Sequence, residues 1–236
     1  MVANANTVKA TETSFRVIAA LAERDGAGVS DLAGDLDLSR SGVHKHLTTL
    51  CELGYVRKDG DTYRASDLFF SLGTGIRNAD PLFEVSHEPL VELASAMNER
   101  VALYARRDGE LTCLYSTADR NKPDRESPDG DRQPLDGSFV GDVVRVQENG
   151  SDSGPTNGNM DELESIRGHQ IAFETVDDVR RIAMPVFGPD DASVGVVVVS
   201  GTTGRLKGRR VGEDAPGLMV STIESIEAAY AEATDE

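Results

Sequence analysis

The sequence predicts an α+β chain in two parts: a helical front third closed by a short hairpin, then a mainly antiparallel sheet flanked by helices. Three observations carry this expectation. Apolar residues in the first fifty or so positions recur at three- and four-residue steps. Next, "YVRK" and "TYRA" enclose "DGD", which signals a tight hairpin. Finally, "RRIAMPVFG" and "SVGVVVVSG" flank "PDDA" as a second hairpin, and the second arm is so rich in valine that both its faces must be buried.

From Thr11 to Arg24 the residues Phe15, Ile18, Leu21 and Ala22 fall at helical spacing, with Thr11 or Thr13 available as a cap. "RDGAG" breaks that helix. The next, "SDLAGDL", is capped by Ser30 and turns Leu32, Ala33 and Leu36 inward. Ser39 caps a third helix, where Val43, Leu47, Leu50 and Gly54 share one face. Arg40, Ser41, His44, Lys45 and Thr48 take the flank and the opposite side, and Gly54 suits the C-terminal end. Helix, helix, turn, helix, hairpin is a winged helix-turn-helix. In that arrangement the second helix steadies the third, and the third enters a DNA major groove with its N-terminal residues at base edges. A metal reading of this stretch fails. His44 and His46 point about 200° apart on a helix, and no cysteine or carboxylate stands at ligand spacing.

A connecting helix follows through Leu68, Phe69 and Leu72, then an amphipathic helix through Leu82, Val85, Leu90, Leu93 and Met97. "VALYARR" and "LTCLYST" form a hairpin around Asp108-Gly109. The span from Asp119 to Leu135 reads as exposed loop, and so does "QENGSDSGPTNGNM". "MDELESIRGHQ" reads as a short helix ended by Gly168, and "GLMVSTIESIEAAYAEA" as a closing amphipathic helix. The expected division is 1–66 for DNA binding, 67–80 as a linker helix, and 81–236 as a sheet domain shaped like a small-molecule sensing cup.

Charge adds direction. The chain has 236 residues with 41 acidic against 24 basic groups, a net of −17, and only five of the cations are lysines. A lysine-poor, acidic surface is expected of a cytoplasmic protein kept soluble at very high salt, although net charge that merely keeps molecules apart is the other reading. The excess is uneven: residues 1–66 hold eight basic and nine acidic groups, leaving the front nearly neutral and able to approach a polyanion. No apolar run is long enough to span a membrane, and the first residues lack the apolar segment of a secretory signal. Cys51 and Cys113 suit a reducing compartment and read as small core residues. There is no G-x-S-x-G, P-loop, H-E-x-x-H or C-x-x-C, and His44, His46, His87 and His169 are scattered, so neither an enzyme nor a cofactor is expected.

Several stretches together resemble the IclR family of transcriptional regulators. "SGVHKHLTTLCELGYVRKDGDTYRAS" is similar to its recognition helix and wing, and "DLFFSLG" to its linker helix. "LVELASAMNERVALYARRDGELTCLYS" and "IRGHQIAFETVDDVRRIAMPVFGPDDASVGVVVVSG" resemble the two ends of its effector-binding domain. The likeness covers 11–118 and 160–232 in order. With the acidic composition it suggests a haloarchaeal type with a shortened middle, where about thirty residues of helix are absent after "QPLDGSFVGDVVRV". The resemblance implies a GAF-like C-terminal domain that binds a small organic acid or sugar-derived effector, and a homodimer or tetramer gripping a palindromic operator in double-stranded DNA. Arg40, Ser41, His44 and Lys45 are then expected at the major groove, with Thr48, Lys58 and Arg64 at phosphates. His46 is expected to pack or flank rather than read. Gly42 stands where the family commonly has Thr, and Gly141 falls in register with a glycine that borders the ligand. Ser138, Asp142, Arg181 and Ser200 fall near positions that line the cup; with no ligand to hold, they would be a loop hydroxyl, two surface charges and a strand end. A winged-helix protein whose C-terminal domain only dimerises or meets other proteins is the alternative.

Overall fold

The computed structural model describes residues 7–117, 129–149, 162–166 and 169–235. The chain divides into two compact units, Met1–Ile76 and Arg77–Glu236.

In the first unit, α1 (Lys9–Ala22), α2 (Val29–Asp35) and α3 (Arg40–Glu52) precede a two-stranded wing, β1 (Val56–Asp59) and β2 (Thr62–Ala65). Val17, Leu21, Leu32, Val43, Leu47, Leu50, Val56 and Tyr63 form its core. Each such side chain contributes about 1.5–3 kcal/mol by leaving water. The inward line of α1 is Thr13, Val17 and Leu21, an i, i+4, i+8 row; of the expected residues Leu21 belongs to it and Ile18 packs partly against the core, while Phe15 and Ala22 face water. Phe15 is 63% exposed. Neither Thr11 nor Thr13 caps the helix: it starts earlier, after Val8, and the Thr13 hydroxyl donates to the Lys9 carbonyl at 2.9 Å. Ser30 does not cap α2 either. Gly28 holds that position, and its N–H donates to the Asp31 carboxylate at 3.2 Å. Ser39 does cap α3, accepting from the Gly42 N–H at 3.1 Å. The α1–α2 connection joins the wing by a bridge between Ala27 and Tyr63, a pairing with no local sequence signal.

α4 (Leu68–Asn78) spans the boundary between the units. The second unit contains α5 (Pro81–Met97), β3 (Arg100–Arg107), β4 (Glu110–Ser116), β5 (Arg132–Pro134), α6 (Phe139–Asn149), β6 (Glu162–Ile166), β7 (His169–Val176), β8 (Val179–Phe187), β9 (Ser193–Thr202) and α7 (Ala215–Thr234). Its seven strands lie in the order β5-β4-β3-β9-β8-β7-β6, and every pair is antiparallel. One face packs α5 and α7 over Val101, Leu103, Ile182, Met184, Val197 and Val199. The other face carries α6 over Leu111, Ala172, Ala183, Val196 and Val198. The all-valine run of β9 therefore feeds both cores, which is why it shows no alternation.

Two expectations fail here. Residues 162–166 are strand, paired with β7 in the register Leu163–Ala172, where a short helix was expected. A helix of so few residues is marginal alone, and the open edge of β7 supplies backbone partners. Part of the expected loop, Arg132–Pro134, adds a short edge strand to β4. Pro134 at its end fits an edge position. Most of "QENGSDSGPTNGNM" and of the Asp119–Leu135 span, with Gly168, lies outside the described residues.

Candidate nucleic-acid interface and ligand-facing sheet

α3 is amphipathic in the sense a groove-reading helix needs. Val43, Leu47 and Leu50 fix it to the core, while Arg40, Ser41, His44, Lys45 and Thr48 all face solvent. Gly42 has a local reason: a Cβ there would lie 3.1 Å from the Ser39 hydroxyl that caps its own N–H. The Ser41 and Ser39 hydroxyls are 3.3 Å apart at the same helix start. Thr48 turns its hydroxyl back onto the His44 carbonyl at 2.9 Å, leaving its methyl and the oxygen's remaining lone pair outward. His46 sits on the inner flank with Nδ1 2.9 Å from the Ser14 hydroxyl. That hydroxyl is also 3.1 Å from the Ala10 carbonyl, to which it donates. Nδ1 must then be the donor to Ser14, and the ring pins α3 to α1.

The wing sorts its cations onto two faces. Lys58 is registered opposite Tyr63, and Arg57 opposite Arg64, so Lys58 and Arg64 point to opposite sides of the ribbon. Lys58 Nζ lies 5.5 Å from the Tyr63 ring centroid. Arg64 is ion-paired with Asp25, and Arg57 reaches Asp67 at 3.6 Å. Arg57 is thus a further wing cation, on the same face as Arg64. Counting register outward from the Asp-Gly turn pairs it with Arg64 and would have found it.

In the second unit, the four residues expected at the cup fall into two places. Ser138 is buried and caps α6, accepting from the Gly141 N–H at 3.1 Å and donating to the Pro134 carbonyl at 2.5 Å. Asp142 is not a surface charge. It is fully buried in the first turn of α6, and Arg145 donates to it at 2.9 Å. Gly141 has no room for a side chain: a Cβ would enter the van der Waals envelope of the Leu135 and Pro134 carbonyls. Arg181 and Ser200 meet in one cross-strand row, running Arg100, Ser200, Arg181, Glu174 over β3, β9, β8 and β7. Two residues along, Ala102, Val198, Ala183 and Ala172 occupy the corresponding row, and three of them lie in the core under α6. By alternation the polar row lies on that same face. Arg181 is 45% exposed at its side chain and donates to buried Glu174 at 2.8 Å. Arg100 donates to Ser116 at 2.9 Å. Burial pushes the Tyr104 phenol up to about 12; Cys113 and Asp131 push the same way, and Arg181 and Arg100 oppose them. Burial likewise pushes the Cys113 thiol up to about 12. Arg100 had no distinguishing signal, because only pairing brings it beside Ser200, next to Arg181. The row carries two guanidiniums and one carboxylate, so the row itself keeps one net positive charge after the Arg181–Glu174 pair. Among the described residues no group of His, Cys, Asp and Glu could hold a metal, and no helix is long and apolar enough to cross a membrane.

The family model for the IclR helix-turn-helix domain matches residues 10–60, the span of α1 to α3 and the start of the wing. Residues 10–60 carry an IclR-type helix-turn-helix domain, and the chain as a whole is similar to transcriptional regulators. A similar sequence is the probable HTH-type transcriptional regulator ArcR of Halobacterium salinarum, 24% identical, with 91% of this chain and 90% of ArcR covered. The fold is that of Thermotoga maritima IclR, with a TM-score of 0.75 at 16% identity, covering 94% of this chain and 99% of that one. It is also that of an IclR homolog from Microbacterium hydrocarbonoxydans complexed with 4-hydroxybenzoate, with a TM-score of 0.72 at 13% identity, covering 95% and 100%. The helix-turn-helix match makes the first unit a DNA-binding domain of the IclR type.

Proposed function

We propose that this chain is an IclR-family regulator that binds a palindromic operator as a homodimer or tetramer, and that a small organic acid or sugar-derived effector on the α6 face of its sheet alters that binding. The observation that carries the DNA half is the solvent-facing set Arg40, Ser41, His44 and Lys45 on a helix whose other side is locked in the core. Arg40 reads a guanine edge, and Ser41, His44 and Lys45 reach neighbouring edges or phosphate. Thr48, Lys58 and Arg64 hold backbone, joined by Arg57. The dimer covers apolar side chains of the first unit that face water, including Phe70 at 79% and Ile76 at 76% exposure. The effector half rests on Arg100 and Arg181 flanking Ser200, and the relative crystallised with 4-hydroxybenzoate supports an acid as ligand. The acid excess supports a salt-rich, haloarchaeal cytoplasm as its setting.

Operator fragments selected from genomic DNA by the full chain provide the test. Replacing Arg40 and Lys45 together by alanine is expected to weaken operator binding at least tenfold, since one bidentate base contact alone is worth about 1–3 kcal/mol. Unchanged binding removes the DNA half. One observation favours a C-terminal unit that only dimerises: Phe139, Val140, Val143 and Val144 seat α6 directly on the sheet. Thermal melts with aromatic acids, sugar acids and keto acids separate the readings, because a ligand of the native state raises the midpoint.

A further inference from the structure

α4 carries two glycines in mid-helix, in the run Leu72-Gly73-Thr74-Gly75-Ile76. Packing within one copy of the chain does not ask for them. An added Cβ meets nothing within 4 Å at either position. Neither has the left-handed backbone that favours glycine. Alanine would fit both, and each glycine weakens a helix interior about fivefold relative to alanine. Within one copy no residue of α4 is buried, so its own chain does little to restore what the glycines lose. What remains is a helix made soft at one place. The boundary between the two compact units falls immediately after it, between Ile76 and Arg77.

Beyond the glycines the chain is fastened firmly. Arg77, in the last turn of α4, lays its guanidinium 4.7 Å from the Phe83 ring centroid and reaches Asp129 at 3.6 Å. Phe83 is itself held in a ring cluster with His87 and Tyr115. Asp129 is fixed beside β4, because the Gly130 N–H donates to the Cys113 carbonyl and the Cys113 N–H to the Asp131 carbonyl, each at 2.8 Å. Asp80 then caps α5 through the Leu82 and Phe83 N–H groups and pairs with Arg107. The chain on the far side of Gly75 is therefore part of the sheet unit, held by two ion pairs and an aromatic contact.

We propose that α4 is a built-in hinge: it bends at Gly73-Thr74-Gly75, while its last turn, fastened by Arg77, moves with the sheet unit. Helix kinks have few causes, and small residues that loosen the hydrogen-bond ladder are one. The position suits the two-unit regulator inferred above and rests on that reading only for its purpose, since the bending itself needs neither operator nor effector.

The test uses the full chain without ligand. Amide exchange across the second half of α4 is expected to be fast in the natural sequence and to slow about twenty-five-fold in Gly73→Ala/Gly75→Ala, two fivefold steps multiplied. Thr74→Ala, between the same two positions, is expected to slow it by no more than about threefold. Residual dipolar couplings should give the two units different degrees of alignment in the natural chain and a common one in the double variant. A single shared alignment in the natural chain overturns the proposal. So does a double variant that loses its self-association, which would mean that the glycines serve close approach of a second copy. Failure of operator or effector binding leaves these readouts untouched, so the two readings fail separately.

Discussion

At Gly141 one missing methyl group decides how a helix meets a loop. The carbonyls of Pro134 and Leu135 cross the first turn of α6 where a Cβ would stand, and both are backbone atoms with no flexible end to yield. Gly141→Ala is expected to destabilise the second unit by about 1–3 kcal/mol, the usual cost of overpacking, read from the urea midpoint; an unchanged midpoint would show that the loop shifts freely. Titration supplies a second prediction at this scale. Cys113 and Tyr104 keep their protons up to about 12 in the folded chain, while ordinary groups release them near 9 and 10. Between those values the folded state holds more protons than the unfolded one, so stability is lost as pH rises from about 9 towards 12. The melting temperature should fall steeply over that interval. Cys113, buried as a thiol, should react with a disulfide reagent no faster than the unit opens.

Among the elements, α5 has the most elaborate ending. Asn98 leaves it in the left-handed conformation. Arg210 and Arg205 donate to the Met97 and Asn98 carbonyls, supplying partners and positive charge at the helix's negative end. The same two cations surround Glu99, whose side chain is almost wholly buried, at 3.1 and 3.6 Å. Removing both leaves a buried carboxylate with two fewer cations, so Arg205→Ala/Arg210→Ala is expected to cost on the order of 3 kcal/mol. Arg209→Ala, which removes pairs with exposed Glu213 and Asp214, should change stability by less than about 0.5 kcal/mol. A denaturation series that ranks these two variants equally would refute the assignment.

For the whole molecule, charge and binding pull in different directions. A net of −17 repels DNA, yet the first unit is almost neutral, and several of its cations already have acidic partners, as Arg64 has Asp25 and Arg24 has Asp35. Binding by phosphate neutralisation alone falls about a thousandfold or more over a fourfold rise in salt. This interface should instead lean on base contacts, fit, self-association and cations held between acidic side chains and phosphate. Operator affinity measured against KCl is expected to change by less than about tenfold between 0.5 and 2 M, well short of that loss; a steep decline through the molar range would exclude the idea.

The sequence by itself determined the order of elements in the first unit, the Ser39 cap and inward face of α3, the Asp108-Gly109 turn and the doubly buried β9. In each of these, a local rule and the tertiary environment agree. It also determined which side of α3 faces outward, because helical period and core packing fix the same rotation. Tertiary structure alone decided the rest. It rotated α1 away from Phe15, since the first unit's core selects the Thr13–Val17–Leu21 row. It made strand of 162–166, because an open sheet edge outweighs a weak helical preference. It buried Asp142 and drew Arg100, Ser200 and Arg181 into one row, a neighbourhood made by strand pairing across distant parts of the chain that no local pattern encodes.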